Sequence, residues 1–254
     1  MYSGGIFDFE DIADWGSGAL PDLKVHNLGG MRWYEAPDGN KYPSITTVLG
    51  ARPEKKKGLQ EWRNRIGTEA ANLISGKAAR RGTAFHNICE DYLNNKFVDD
   101  HKRKNFLSYC MFNEMKPHLD ERLGKRSRGA ERYPSIVVQE KSMYSPKYKV
   151  AGRPDLIGYC RNTDGKVAMG VVDLKTTTTM KKREWIDDYF IQCAAYASMF
   201  EEFSGVPCRD LYIFMVSEDG EVKIFEEQSE NYLQKLERYM DEFYEFLDVK
   251  ALAA

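Results

Sequence analysis

The sequence predicts an α/β fold built around a mixed central sheet. Three observations carry that expectation. Segments 135–144, 150–160 and 166–175 are rich in β-branched and apolar residues and are separated by turn signals at Ser145-Pro146 and residues 162–165. A strong helical pattern over 183–203 follows them, and two more strands, 210–216 and 222–226, flank a turn at 218–220. Helical spacing dominates residues 59–116. The central order is therefore helix, three strands, helix, strand, an α/β plan rather than separate layers of one kind.

Taken in order, residues 25–28 and 31–34 flank Gly29-Gly30 and read as a hairpin, and Asp38-Gly39 marks another turn. Residues 43–49 (PSITTVL) form an anchoring segment in which Ser44 caps a short helix. Residues 51–58 (ARPEKKKG) are polar, basic and rich in breakers, and are expected to be a loop. A first helix is predicted over 59–75, with Leu59, Trp62, Ile66, Ala70 and Leu73 at helical spacing. A second starts near Ala78 or Thr83 and reaches Asn94, with Phe85, Ile88, Cys89, Tyr92 and Leu93 on one face. A third covers 100–116 and should stop near Pro117. Residues 125–128 (KRSR) read as a basic loop, and an amphipathic helix over 230–249 closes the chain. The expected organisation is an N-terminal extension (1–58), a helical region (59–130) and a core with its C-terminal helix (131–254).

A chain of 254 residues can bury a sizeable core. No apolar run approaches the roughly 18 residues needed to span a bilayer, so no membrane association is expected. Asp8, Glu10, Asp11 and Asp14 near the start argue against a secretory or transit peptide, and a cytoplasmic location is expected. The five cysteines, Cys89, Cys110, Cys160, Cys193 and Cys208, are odd in number and widely spaced, which disfavours a disulfide framework or a zinc ribbon. Charge is uneven. Residues 51–200 hold 29 Lys+Arg against 18 Asp+Glu, whereas residues 201–254 hold 5 against 14. A basic middle with an acidic end fits one face meeting a polyanion, or charges that merely cluster in sequence.

The residues able to carry chemistry lie in the second and third predicted strands. One contains Gly152-Arg153-Pro154-Asp155 and the other ends in Asp173-Leu174-Lys175. Side chains alternate along a strand, so Asp173 and Lys175 share a face with Val171, while Val172 and Leu174 face the other way. Phosphodiester hydrolysis needs an activated water and stabilisation of the charge building on phosphate. Hard cations held by carboxylates supply both. In that chemistry Asp155 and Asp173 bind the metal, Leu174 offers its backbone carbonyl, and Lys175 orients or deprotonates the attacking water. A surface ion pair is the plainer reading of an isolated Asp-x-Lys.

Further candidates have similar alternatives. His86, with Glu90 one helical turn later, is a metal ligand or phosphate contact, or else an ordinary structural histidine. Glu140 is a ligand, an orienting group, or half of an ion pair. Gln192 and Tyr196 share one helical face at i, i+4. They reach the phosphate or the lysine, or simply pack with Ala194, Ala195 and Met199.

The ordered set GTAFH, QEK, GRPD, DLKTT and QCAAY resembles the RecB-like branch of PD-(D/E)XK nucleases. In particular it is similar to phage exonucleases related to the mitochondrial genome maintenance exonuclease, a likeness to which PSITTVLG and LQEW add. It spans about residues 43 to 216. The resemblance implies a restriction-endonuclease-like αβββαβ core with Mg²⁺ or Mn²⁺ as cofactor. It implies metal contacts from His86, Asp155 and Asp173, a catalytic lysine at Lys175, and supporting roles for Glu140, Gln192 and Tyr196. Two departures stand out. Position 173 is Asp where many members have Glu. Several RecB relatives also carry a close C-terminal group of three cysteines, which this chain lacks, so no iron–sulfur cluster is expected.

Basic segments punctuate the first half: residues 52–57, Arg63, Arg65, Lys77, Arg80, Arg81, residues 102–104 and 125–128, with residues 181–183 after the catalytic strand. Aromatics lie among them, a combination suited to gripping single-stranded DNA without reading its sequence, although Trp62 and Phe85 are expected in the core. The four hydroxyls of residues 176–179 could meet a phosphate or suit a strand end. Relatives thread a strand beneath a helical cover, which the N-terminal helices here would form. The expected activity is a metal-dependent exonuclease acting on single-stranded DNA or DNA ends in phage-type replication or recombination. A structure-specific endonuclease and a non-catalytic DNA-binding module are the alternatives. A nucleotide-binding enzyme is disfavoured, since no Gly-rich phosphate loop occurs.

Overall fold

The computed structural model describes residues 5–15, 18–124 and 133–252. The basic segment 125–128 lies outside the described residues. Strand β1 (Lys24–Leu28) turns through Gly29 (φ 58°) and Gly30 (φ 75°) into β2 (Met31–Glu35), with Leu28 paired to Met31. Two successive left-handed residues give the tight hairpin that Gly-Gly predicts. Strand β3 (Lys41–Pro43) completes a three-stranded sheet. Helix α1 (Ile45–Ala51) then starts at Ser44, whose Oγ accepts from Thr47 N at 3.1 Å. Ser44 also bridges to Ala151, which ties this small sheet to the strand leading into Asp155.

The main sheet has five strands: β4 (Val138–Gln139), β7 (Leu156–Arg161), β8 (Val167–Thr177), β9 (Asp210–Ser217) and β10 (Val222–Gln228), in the spatial order β10-β9-β8-β7-β4. Only β8 and β9 run parallel, joined through helix α6 (Asp187–Ser204). The sheet is mixed, as expected. Strands β5 (Met143–Ser145) and β6 (Val150–Gly152) form a separate ribbon. The first two predicted strands are thus each split in two. Glu140 adopts a left-handed conformation (φ 48°) that ends β4, and Pro154, which has no N–H to donate, separates β6 from β7.

Both faces of the sheet are covered. Val171, Ile157, Ile213 and Met215 pack with α1, α6 and the C-terminal helix α7 (Glu230–Leu252). Val172, Leu174, Phe214 and Val216 pack with Phe85, Ile88 and Phe112 from helices α3 (Thr68–Leu93) and α5 (Phe106–Leu123). The opposite faces of β8 are those predicted from alternation. Gly158 and Gly170 lie where backbones crowd: a Cβ would come 1.9 Å from Ser135 O and 2.6 Å from Asp210 O, respectively.

Three helical boundaries differ from expectation. Residues 51–58 are not a loop, because helix α2 (Pro53–Ile66) begins there with Pro53 in its first turn, where a missing N–H costs nothing. The break between the next helices falls at Gly67 (φ 88°), not near residues 75–78, so α3 runs unbroken through Gly76 and Gly82. Each glycine costs about 1 kcal/mol against alanine, and the packing of Phe85, Ile88 and Leu93 outweighs that. Pro117 sits inside α5, whose last turns are held by fully buried Leu119 and Leu123, and the helix actually breaks earlier, at Asn105 after the short α4 (His101–Lys104). Spacing also misjudged burial. No residue of α2 is fully buried, Leu59 and Leu73 are more than half exposed, and Trp62 is half-buried, whereas Phe85 is fully buried.

Candidate active site

Four parts of the chain converge at the end of the sheet where β7 and β8 separate. The β7–β8 ladder stops at Leu156↔Val172. Beyond it, Asp155 occupies the place of the next rung, and its Oδ2 accepts from Leu174 N at 2.7 Å. The N–H and C=O of one strand residue point to the same edge, so the Leu174 carbonyl also faces this gap. Helix α3 brings His86 to the other Asp155 oxygen, with Nδ1 3.3 Å from Oδ1. The left-handed turn at the end of β4 swings Glu140 inward, where Arg153 pairs with it at 2.8 Å.

Asp173 and Lys175 stand side by side on β8, with Nζ 2.5 Å from Oδ2. Gln192 on α6 donates to Asp173 Oδ1 at 3.2 Å and lies 3.2 Å from the Tyr196 hydroxyl. Tyr196 packs against Gly152 so closely that a Cβ there would meet its ring carbon at 2.5 Å. This contact explains the glycine preceding Arg153-Pro154-Asp155.

The electrostatics follow from packing three carboxylates in a half-closed space. Burial and the nearby Asp155 push Glu140 up from 4.5 to about 7. Burial raises Asp173 to about 6 despite Lys175. Burial also acts against the charge on Asp155, but His86 and Lys175 outweigh it and hold that carboxyl below its ordinary value. For His86 and Lys175, burial favours the neutral form. Asp155 dominates at His86, and Asp173 with Asp155 dominates at Lys175, so both titrate above their usual values. Lys175 is therefore an ammonium.

The donor set suits a hard divalent cation. One ligand atom each from His86, Glu140 and Asp155 lies within 4.8 Å of the others. Asp173 Oδ2 is fully buried and accepts no well-directed hydrogen bond, although Lys175 lies against it. Carboxylates crowded enough to resist ionisation are relieved when a cation sits among them. The residues present thus fit a divalent metal.

The cleft in front of this cluster has a volume of about 480 Å³. Sequence reasoning named His86, Glu140, Asp155, Gln192 and Tyr196 on its lining, but not Arg32, Tyr34, Thr46 or Asn87. The first three come from the N-terminal segment, where Thr46 lies within PSITTVLG but no local spacing relates any of them to Asp155. Tyr189 was also missed. Its ring centroid lies 5.1 Å from Lys175 Nζ, and its hydroxyl accepts from Lys181 at 2.6 Å.

Several basic residues turn out to be structural. Arg52 is buried, pairs with Asp188 at 2.6 Å and stacks on Tyr239, while Lys55 reaches the same Asp188. Arg183 pairs with Asp187 and Glu227. Arg81 reaches Thr176 Oγ1 at 3.3 Å and Thr178 Oγ1 at 3.2 Å and pairs with Glu218, tying α3 to the end of β8. Two of the four threonine hydroxyls are thus engaged by arginine, and Thr177 donates to Thr179 O. The cysteines are free thiols, Cys110 half-buried and the rest buried. No helix among the described residues is long and apolar enough to cross a membrane.

A mixed sheet flanked by helices, with Pro-Asp and Asp-x-Lys meeting at the parting of two strands, defines a class of metal-assisted nuclease folds. The profile of the PD-(D/E)XK nuclease superfamily matches residues 61–253, and the chain belongs to that superfamily. Among solved structures, it is similar to a candidate exonuclease from Eubacterium rectale, at 12% identity and a TM-score of 0.39. That likeness covers 65% of this chain and 66% of the other, just under two thirds of its length. It is also similar to SSO0001, at 16% identity and a TM-score of 0.31, over 75% of this chain and 83% of that one. Among curated proteins, none matches.

Proposed function

We propose that this protein is a Mg²⁺- or Mn²⁺-dependent deoxyribonuclease, an exonuclease on single-stranded DNA or DNA ends, acting in the cytoplasm during phage-type replication or recombination. The observation that carries the reading is the meeting of His86, Glu140 and Asp155 on one polar cleft, with the buried Asp173–Lys175 pair joined to its wall through Gln192. Superfamily membership supports phosphodiester hydrolysis as the chemistry.

Asp155, Asp173 and His86 would hold the metal, with Glu140 and the Leu174 carbonyl beside them. Bound there, a divalent ion supplies an acidified water and neutralises phosphate charge. Lys175, kept cationic by two carboxylates, orients the attacking water and screens the phosphate, a role its raised pKa favours over proton abstraction. Gln192 holds one oxygen of Asp173, and Tyr196 holds Gln192. Both act as positioning residues.

The choice of a single strand rests on exposed aromatics beside cations. Trp185 is 63% exposed with Lys182 over its ring, and exposed Phe97 and Phe106 flank the basic turn at His101–Lys104. Residues 59–130 would provide the cover over the strand. The test is digestion of end-labelled single-stranded, duplex and circular DNA with Mg²⁺ or Mn²⁺, wild type beside Lys175→Ala. Metal-dependent loss of linear DNA, with circles spared and the variant inactive, is expected. Cut circles would indicate a structure-specific endonuclease, and binding without cleavage a non-catalytic module.

A further inference from the structure

His86, Glu140 and Asp155 cluster on the cleft wall. The same cleft is also lined by Arg32, Thr46 and Asn87. Arg32 forms no ion pair with Glu90 or Glu140, which line the same cleft, and its side chain has no hydrogen-bond or ionic partner among the described residues. Arg32 is exposed, and an arginine on the wall of a polar cleft with no protein partner for its five donors is available to an anion with several acceptor oxygens.

Its backbone, by contrast, is pinned. Arg32 N donates to Thr47 Oγ1 at 3.2 Å, and Arg32 O accepts from Ser44 N at 2.9 Å. Ser44 caps α1, whose Ile45 and Val48 are fully buried, and it bridges to Ala151, four residues before Asp155. The guanidinium therefore springs from a strand held in register with the catalytic segment.

We propose that Arg32, on a cleft that Thr46 and Asn87 also line, is a second phosphate subsite, binding the phosphodiester next to the one cleaved. The three-stranded N-terminal sheet is then part of the substrate-binding apparatus. The inference rests on the nuclease reading above and names a substrate contact of the same cleft. Arginine matches phosphate geometry through two parallel N–H···O bonds, which lysine reproduces only as a point charge.

The experiment titrates a fluorescent single-stranded oligodeoxynucleotide into the full chain at several salt concentrations. Ca²⁺ replaces Mg²⁺ so that binding is read apart from cleavage, and wild type, Arg32→Ala and Arg32→Lys are compared. Removing one phosphate contact to a single strand should weaken binding about five- to tenfold and flatten the plot of log Kd against log salt by about 0.7. Arg32→Lys should restore the slope and only part of the affinity. An Arg32→Ala protein that melts like wild type and keeps both affinity and slope overturns the subsite. Failure of the nuclease reading shows separately, as wild-type protein that cuts no nucleic acid with Mg²⁺ or Mn²⁺ whatever Arg32 does to binding.

Discussion

Replacing Glu140 by glutamine should stabilise the metal-free protein while impairing its catalysis. In the folded chain the Glu140 carboxyl is pushed from an ordinary 4.5 up to about 7 by burial and by Asp155, and Arg153 at 2.8 Å offsets this only in part. The folded state therefore holds a proton that the unfolded chain has released. Stability attributable to this group is present below pH 4.5 and is lost as pH rises through about 7. At about 1.36 kcal/mol per pH unit, that window corresponds to about 3 kcal/mol, an upper figure because the neighbouring carboxylates titrate together. Glutamine keeps the volume and one acceptor oxygen without the charge.

The assay is thermal unfolding of wild type and Glu140→Gln in a chelator, between pH 5 and pH 8.5. Near pH 5 the two should melt together. At pH 8.5 the variant should melt about 5–10 °C higher, on the scale of roughly 2–4 °C per kcal/mol for a chain of this size. Millimolar Mg²⁺ or Mn²⁺ should narrow that gap. Wild type gains up to about 2.7 kcal/mol at one hundred times the dissociation constant, and the variant, having lost a ligand, gains less. A Glu140→Gln protein that melts at or below wild type throughout, without metal, would refute the argument that crowded carboxylates store repulsion for a cation to relieve.

Other substitutions probe the supports of the site. Gly152→Ala forces Tyr196 to move, since the new Cβ would lie 2.5 Å from its ring. Cleavage should fall by about an order of magnitude or more with a loss of about 1–3 kcal/mol in stability, and unchanged kinetics would mean the ring swings away freely. Gln192→Ala removes the hydrogen bond to Asp173 and should lower kcat about tenfold at similar DNA affinity, consistent with loss of one charge-assisted bond. An effect on affinity alone would reassign Gln192 to substrate binding. Tyr189→Leu should cost about fivefold in kcat, within the range for a partly desolvated cation–π contact, while Tyr189→Phe keeps the ring over Lys175 and most of the rate. Equal losses in both variants would point to the Lys181 hydrogen bond instead.

Local information was enough for much of this molecule. Alternation on β8 placed Asp173 and Lys175 on the face opposite Val172 and Leu174, because a strand's period of two allows no other arrangement once one face is buried. Gly29-Gly30 and Ser44 announced a hairpin and a helix cap through backbone preferences acting over a few residues. The motif residues His86, Glu140, Asp155, Asp173, Lys175, Gln192 and Tyr196 were all named from sequence, and the fold draws them into one region.

Tertiary structure decided what local preference could not. Where a helix ends depends on competition between a weak breaker and the burial it would forfeit, so Gly76, Gly82 and Pro117 were overridden while Gly67 was not. Whether an apolar residue is core depends on what lies opposite: Phe85 meets the sheet, whereas Leu59 and Leu73 meet water. Whether a cation is free to grip a polyanion depends on which carboxylate is near, and Arg52 and Arg183 are consumed by such partners while Arg32 is not. The sequence by itself offered the candidate side chains, through residue type, short-range spacing and the family resemblance. Only the tertiary structure determined that the N-terminal hairpin shares their cleft, because contacts between segments a hundred residues apart are set by packing that no local pattern records.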